Sequence, residues 1–548
     1  MNAQSLSKDK ERDDDRLKAY REKKLIRKNR QTATLDTKPV AAPKIQFSTL
    51  SLDPNTSPLT ERQAYHLLRR TQFGAPLEHV RALVGQPADQ VVQQLIDEAI
   101  QTEIPADPPW VNSYPRDYED EQYFEDNIDW FFEYMGDTFR NLNRNAFQEM
   151  MMLFWHNHFV IAFFDSHGMS PVLHQYVKTL RTNAFGNFKT FVEQIGLDMS
   201  MLSYLNGFDN QKAAPNENYA RELMELFTMG ILGPDGTPNY TEIDISEMAR
   251  AFTGYFLDNS VKPWEVGYDP GRHDTGQKTF FGHTGNFGYQ DVVDIIFQER
   301  PYQIAYFICE KLYKQFVYEA PDPTIIEGLA QQFQSANFEL RPILETLLKS
   351  QHFFSDEVIG AHIKSPAELF AGLIQELQLS PEDDDFFVEV GFASLDSGQF
   401  IFEPPNVAGW PGYRAWITTA SIQSRWGSLG FYAYYDQYLT NERLDQFVQA
   451  VHDASDSLAV FRLPAAIVRH MVSAPIATLP IETISAPWAG GQPIPAEIEQ
   501  EPAYVHNLTK RMLGGIPWYE WDLSTDEARY ALREFLVYVL QLPEYQLA

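Results

Sequence analysis

The chain has 548 residues, with 44 Lys+Arg against 75 Asp+Glu and a formal net charge of -31. A hydrophobic content of 44% and an aromatic content of 14% can fill a large core, so wholesale disorder is excluded. The acidic balance excludes general nucleic-acid binding, which needs cationic surface to displace counterions. One cysteine, Cys309, excludes an intrachain disulfide framework and a Cys-based zinc cluster. No stretch approaches the roughly 18 apolar residues of a membrane-spanning helix.

The first 45 residues carry 13 Lys/Arg and 7 Asp/Glu with few apolar residues. Residues 1–57 therefore read as a charged, disordered tail, with no apolar segment that would make a signal peptide. Residues 58–548 read as a single helical domain. Thr60 followed by Gln63 predicts a capping box and a helix through Arg70, stopped near Gly74. A Pro-rich aromatic connector covers 105–124, and a dense apolar run from Asn127 to Phe164 predicts one or two buried helices. Further helices are expected at 171–205, 216–229, 244–257, 290–317, 323–333, 339–353, 364–378, 417–435, 459–472 and 526–541. Short strands are expected near 276–282 and 386–403. Residues 258–289 and 402–416 are long irregular loops, and 474–503 is a Pro/Ala/Ile-rich excursion. The fold class is mostly α, a large multi-helix domain with long irregular loops and few strands.

Several segments together resemble one bacterial family. They are HLLRRTQFG (66–74), LFWHNHF (153–159), APNENYARELMELFTMG (214–230), ARAFTGY (249–255), HDTGQKTFFG (273–282), KSPAEL (364–369), EPPNVAGWPG (403–412) and LPEYQ (542–546). Their order and spacing are similar to the domain of unknown function 1800 family. The resemblance implies a bacterial protein, often exported, whose gene neighbours a second family similar to alkaline phosphatases and sulfatases. Such a neighbour is the partner it implies. This chain shows no readable signal, so a cytoplasmic location is the default expectation. The resemblance assigns no catalytic residue, and the site is argued from chemistry.

His156 and His158 invite a divalent-metal reading, since histidine is the commonest metal ligand. On a helix, residues two apart point about 200° apart, which opposes joint ligation of one ion and favours hydrogen-bonded core histidines. In the segment starting at Asn216, Glu222 and Glu225 share a helix face, and Arg221 lies four residues from both Glu217 and Glu225. Glu217 and Glu222 are candidate general bases or metal ligands, against helix-dipole complementation and ion pairing. His273 in the long loop is the leading single candidate, as catalytic residue or metal ligand, with His283 able to join it. Asp274 and Lys278 beside it are candidate ligand-binding residues, as is Asn216, which with Asn218 is also a candidate cap of its helix. The string from Gly271 to Thr279 is not a phosphate-binding loop, because Gln277 separates Gly276 from Lys278. Asn406 and Trp410, in an aromatic Pro/Gly-bounded loop with Trp416, can line a small-molecule pocket or plug a core. Lys364 and Glu368, four apart at a helix start after His362, read as a capping and ion-pair arrangement, and Arg69 and Arg70, beside His66, as binding an anion or, in the leading reading, an interhelical carboxylate. Two functions follow: an enzyme with a His/carboxylate site that holds a metal or works by acid–base chemistry, or a non-catalytic assembly partner of an exported enzyme.

Overall fold

The computed structural model describes residues 42–115, 120–379, 385–452, 456 and 458–548. The charged tail expected at 1–57 falls mostly outside these residues. The structure is mostly helical, with two two-stranded antiparallel sheets among the described residues. The largest buried apolar cluster runs from Leu59, just before the first helix, to Tyr545 near the end of the chain, with two smaller clusters beside it.

Four helices frame the site described below: α1 (Glu61–Gln72), α2 (Ala146–His158), α3 (Pro301–Phe316) and α4 (Pro366–Glu376). Their starts follow from local chemistry. Thr60 accepts from the Gln63 backbone N–H, and the Gln63 side chain returns to the Thr60 N–H, a reciprocal capping box at α1. Proline opens α3 at a position whose N–H has no helical partner. At α4, Ser365 accepts from the Glu368 N–H at 3.2 Å and Glu368 Oε2 accepts from the Ser365 N–H at 2.6 Å, with Pro366 as the first helical residue. Helix α2 has no exposed residue on any side, so it runs through the core rather than over it, with Gln148, Glu149, His156 and His158 buried among its apolar residues. Its Trp155 is fully buried and donates Nε1–H to the Ala184 carbonyl at 3.0 Å.

Several elements differ from the sequence expectation, among them the stretch 171–205, which divides into the helices Ser170–Asn183, Phe188–Ile195 and Met199–Tyr204. The segment expected as strand within 386–403 is the helix Phe386–Asp396. It packs closely on the helix Glu121–Leu142: a Cβ at Gly136 would lie 2.8 Å from Val388, and one at Gly391 would lie 2.4 Å from Met135. Close helix contact through two glycines overrides the strand preference of Phe and Val. The helix expected at 290–317 divides into Tyr289–Glu299 and α3, because Pro301 removes a donor and clashes with the preceding turn. The helix expected to run to 257 stops at Ala251, and the loop after it holds a hairpin: β1 (Tyr255–Asp258) pairs with β2 (Glu265–Tyr268). The second hairpin, β3 (Lys278–Phe280) with β4 (His283–Gly285), falls where a strand was expected.

Candidate functional site

A cavity of about 340 Å³ opens between α1, α2, α3, α4 and the loop 408–416. Its wall is built from segments that carry the family resemblance. HLLRRTQFG contributes Phe73, LFWHNHF contributes Asn157 and His158, KSPAEL contributes Ser365 and Glu368, and EPPNVAGWPG contributes Trp410. Helix α3 supplies Lys311, Lys314 and Gln315, and His362 lies just before α4.

One wall is the pair His158 and Lys311. The helical stretch beginning at Asn218 passes into a π-helix, Leu223–Thr228, and ends at Gly230. The last carbonyls of a helix have no partner within it. Here Phe227 O accepts from His158 Nε2 at 3.0 Å, and Leu226 O accepts from Lys311 Nζ at 3.1 Å. The APNENYARELMELFTMG segment thus joins the site through its open end. With its proton on Nε2, His158 presents Nδ1 as an acceptor, and Lys311 Nζ donates to it at 3.0 Å. Burial, with Lys311 nearby, holds the His158 imidazole well below its usual range, so it is neutral. Burial and the neighbouring Lys314 bring the Lys311 amine down to about 7, against the weaker pull of Glu310.

The other wall is the pair His362 and Glu368. His362 Nε2 donates to Glu368 Oε2 at 3.1 Å. Burial pushes the Glu368 carboxyl up, but His362, Arg70 and the Ser365 N–H outweigh it and hold the group ionised. Burial, with Arg70, lowers the His362 imidazole. Gln315 stands one helical turn beyond Lys311, about 6 Å along the α3 axis, and its Nε2 meets Glu368 Oε1 at 3.5 Å. The two titratable pairs therefore face a shared space across one turn of helix.

The third side is aromatic. Asn157 grips the Trp410 backbone from both ends: its Oδ1 accepts from the Trp410 N–H at 2.7 Å and its Nδ2 donates to the Trp410 carbonyl at 3.3 Å. The preceding residue, Gly409, has φ +80°, and a Cβ there would lie 2.2 Å from Asn157 Oδ1. Gly409→Ala is therefore expected to lose about 1–3 kcal/mol through left-handed strain and a broken clamp, seen as a lower urea midpoint. An unchanged midpoint would show that the loop is not held this way.

The candidates chosen from sequence take different places. His158 and Trp410 line the cavity. His156 does not: its Nδ1 donates to the Tyr176 hydroxyl at 3.0 Å, and its Nε2 accepts from the Phe402 N–H at 3.1 Å. Burial takes this imidazole down to about 3. Both nitrogens of His156 and both of His158 are engaged, which leaves neither ring a lone pair for a metal ion. His273 Nδ1 donates to the Thr253 carbonyl at 2.8 Å, beside Tyr268 and away from these histidines' partners. His283 does not join it, pairing with Glu299 instead at 2.9 Å. Among the described residues, no group of three or more His, Cys, Asp and Glu is placed to hold a metal ion. The convergence of His156 or His158 with Glu217 or Glu222 and His273 is thus not found.

The remaining candidates have structural partners. Glu217 pairs with Arg221 at 3.3 Å, and Arg221 also binds Glu242 at 2.8 Å. Glu222 is half-buried, and burial together with Glu225 raises its carboxyl. Asn216 Oδ1 accepts from the Asn218 N–H at 2.9 Å, a local turn at the helix start. Asp274 binds Arg250 at 2.7 Å. Lys278 is fully buried and its Nζ donates to the Asp274 and Gly276 carbonyls and to Asn286 Oδ1, which ties down the hairpin. Asn406 Oδ1 accepts from the Ala408 N–H at 2.9 Å and stands outside the cavity wall. As the sequence suggested, Arg69 meets an interhelical carboxylate, Glu376, at 2.8 Å.

Lys311 is the residue that sequence reading missed. It and Gln315 each stand three residues after an apolar position, Ile308 and Leu312, at the edge of the buried stripe of α3. Polar residues at the margin of an apolar helix face were the available signal.

The fold and this cavity define a mostly helical protein with a small, partly open site walled by two titratable pairs and an aromatic loop. The chain matches the family model described as Protein of unknown function (DUF1800) over residues 66–547, and it belongs to that family. No curated protein and no solved structure matches it. No helix among the described residues is long and apolar enough to cross a membrane.

Proposed function

We propose that this protein is an enzyme that takes a small organic molecule into the α1–α4 cavity and transforms it by acid–base chemistry without a bound metal. His158 with Lys311 and His362 with Glu368 would be the working pairs. The observation that carries this reading is the pairing of two perturbed titratable centres across one cavity. Such perturbation clusters where groups are tuned for proton transfer. The volume of about 340 Å³ lies at the lower end of ligand pockets, which suits a compact substrate held against Trp410, Tyr413 and Trp416. In this reading the His/carboxylate site expected from sequence is retained, but it moves from Glu217, Glu222 and His273 to His362 and Glu368.

The test is a crystallographic soak of small polar and aromatic fragments, paired with turnover assays on esters, amides, glycosides and carbonyl compounds. Fragments should collect between Trp410 and His362. At least one reaction should be lost in His362→Ala and kept in His283→Ala, whose ring lies on the second hairpin. An empty cavity and no His362-dependent turnover would overturn the reading and favour the assembly partner of a phosphatase-like enzyme.

A further inference from the structure

We propose that Lys311 is a covalent residue: its amine forms an imine with a small aldehyde or ketone bound in the α1–α4 cavity. The proposal rests on the small-molecule reading above and adds the substrate class and the bond formed.

Geometry carries it. Lys311 lines the cavity, and its Nζ makes no ion pair among the described residues. The nearest carboxylate on its own helix, Glu310, is taken by Lys314 at 2.7 Å. The two partners of Lys311, His158 Nδ1 and Leu226 O, are both neutral acceptors. A neutral amine has two N–H bonds and one lone pair. Two acceptors use both N–H bonds and leave the lone pair for an electrophile. The tautomer of His158 is fixed from behind, because Phe227 O requires the proton on Nε2. The groups facing Lys311 are therefore His158 from α2, the carbonyls ending the 218–228 helix, and Phe307, Glu310 and Lys314 from α3. The Phe307 ring, 4.7 Å from Nζ, and the Glu310 charge favour the ammonium form. Burial opposes it and holds the amine down to about 7. A desolvated amine of this kind is the activated form of a lysine nucleophile.

The step balances without a further reactant. The Nζ lone pair adds to the carbonyl carbon, and the carbonyl π-bond closes onto oxygen. His158 Nδ1 accepts one amine proton and returns it to that oxygen, giving a carbinolamine. The second N–H proton follows the same route, the C–O bond breaks, and water leaves as the C=N bond forms. Nothing is oxidised or reduced. Both amine hydrogens depart in the water.

The aromatic wall of Trp410, Tyr413 and Trp416 selects a carbonyl compound with a flat apolar body, so benzaldehyde is the probe and pyruvate the anionic comparison. The full-length protein would be incubated near pH 7 with benzaldehyde and cyanoborohydride, then digested and mapped by mass spectrometry. We expect one benzyl group on Lys311, acquired at least about tenfold faster than on any exposed lysine, because an amine near 7 is about half neutral there and one near 10.4 is almost wholly protonated. Lys311→Met should remove this label, and His158→Gln should slow it while the thermal melt stays cooperative. Labelling spread evenly over surface lysines, with Lys311 unmodified in the wild type, would overturn the proposal without need of any variant. Benzyl alcohol, which cannot form an imine, separates the two readings by saturation-transfer NMR. Binding that Trp410→Ala abolishes, with no label on Lys311, would leave the cavity reading standing and reject the imine. Absence of both would reject both.

Discussion

Glu149→Ala is expected to cost about 3–5 kcal/mol of stability, because it strands a buried guanidinium. Arg181 Nε and Nη2 donate to the two carboxylate oxygens of Glu149 at 2.8 and 2.9 Å, and both side chains are almost wholly inaccessible. Arg181 Nη1 also donates to the Tyr134 hydroxyl at 3.3 Å. In this setting Glu149 outweighs the burial penalty on Arg181 and keeps its guanidinium firmly charged. Removing the carboxylate leaves that charge in the core with one neutral hydroxyl as partner. Glu149 sits in the first turns of α2, the helix that delivers His158 to the cavity, so the loss would also loosen the site. Urea unfolding of Glu149→Ala, Arg181→Met and the double variant would check this. The double variant should recover part of the loss, since it carries no stranded charge, while the cavity left by Glu149→Ala keeps the remainder. A single-variant loss below about 1 kcal/mol would place the pair among solvent-screened ion pairs instead.

The elements that sequence reading placed correctly were those whose signal is local. Thr60 with Gln63 fixes the start of α1 through two reciprocal hydrogen bonds that need no tertiary partner. The helix through LFWHNHF was legible because its apolar residues carry no proline, and the 200° separation of His156 and His158 holds. Each ring finds its own partners on its own side: Tyr176 and Phe402 for one, Phe227 and Lys311 for the other. The helix Phe386–Asp396 was illegible for the opposite reason. Its Phe and Val residues prefer strands, and only the close approach to Gly136, far away in sequence, makes a helix the better solution.

The site was half legible. Trp410 was visible as an aromatic in a Pro/Gly-bounded loop, but the helix-start ion pair was expected between Lys364 and Glu368, whereas Glu368 caps α4 and pairs with His362 while Lys364 Nζ lies over the Tyr545 ring. What sequence could not supply was that the same capping carboxylate faces a cavity, since this depends on where α3 passes. His273 led on the argument that loops carry function. In the structure its ring is held by Thr253 beside the first hairpin, and the histidine facing the cavity amine belongs to a core helix. Lys311 had no motif to announce it. Its environment comes from the end of the 218–228 helix and from α2, both distant in sequence.

Acid should destabilise the fold in a window set by its buried histidines, before Glu368 titrates; the buried Asp198 carboxyl, raised by desolvation to about 7, takes up its proton in the folded state first and offsets about the share of one ring. Burial lowers His156 to about 3 and, with Arg69 opposing the pull of Glu376, lowers His470 to about 4. Both rings are neutral in the fold for a stated reason. A second proton on His156 would meet the Phe402 N–H, and one on His470 would meet the Tyr65 hydroxyl at 3.0 Å, which then has no acceptor. In the unfolded chain each ring titrates near 6.5. Above 6.5 both states are neutral and the contribution is complete. As the pH falls below 6.5 the unfolded state takes up protons that the folded state refuses, and stability is lost until the folded value is reached. The slope is up to about 1.4 kcal/mol per pH unit for each ring, so by pH 5 each is expected to remove about 2 kcal/mol. The ionised Glu368 carboxyl, also held below its ordinary range, adds its loss in the same direction but only below about 4.5, so the two effects separate on the pH axis. Urea midpoints measured from pH 8 to pH 5 should rise slightly at most to about 6.5, as Asp198 takes up its proton, and then fall because the buried rings His66, His156, His158 and His470 outnumber it. In His156→Gln the overall stability is lower, but the drop between pH 6.5 and 5 should shrink by about 2 kcal/mol, the share of one ring. An identical drop in wild type and variant would show that His156 already accepts a proton in the folded core, and that the Phe402 N–H does not hold its Nε2.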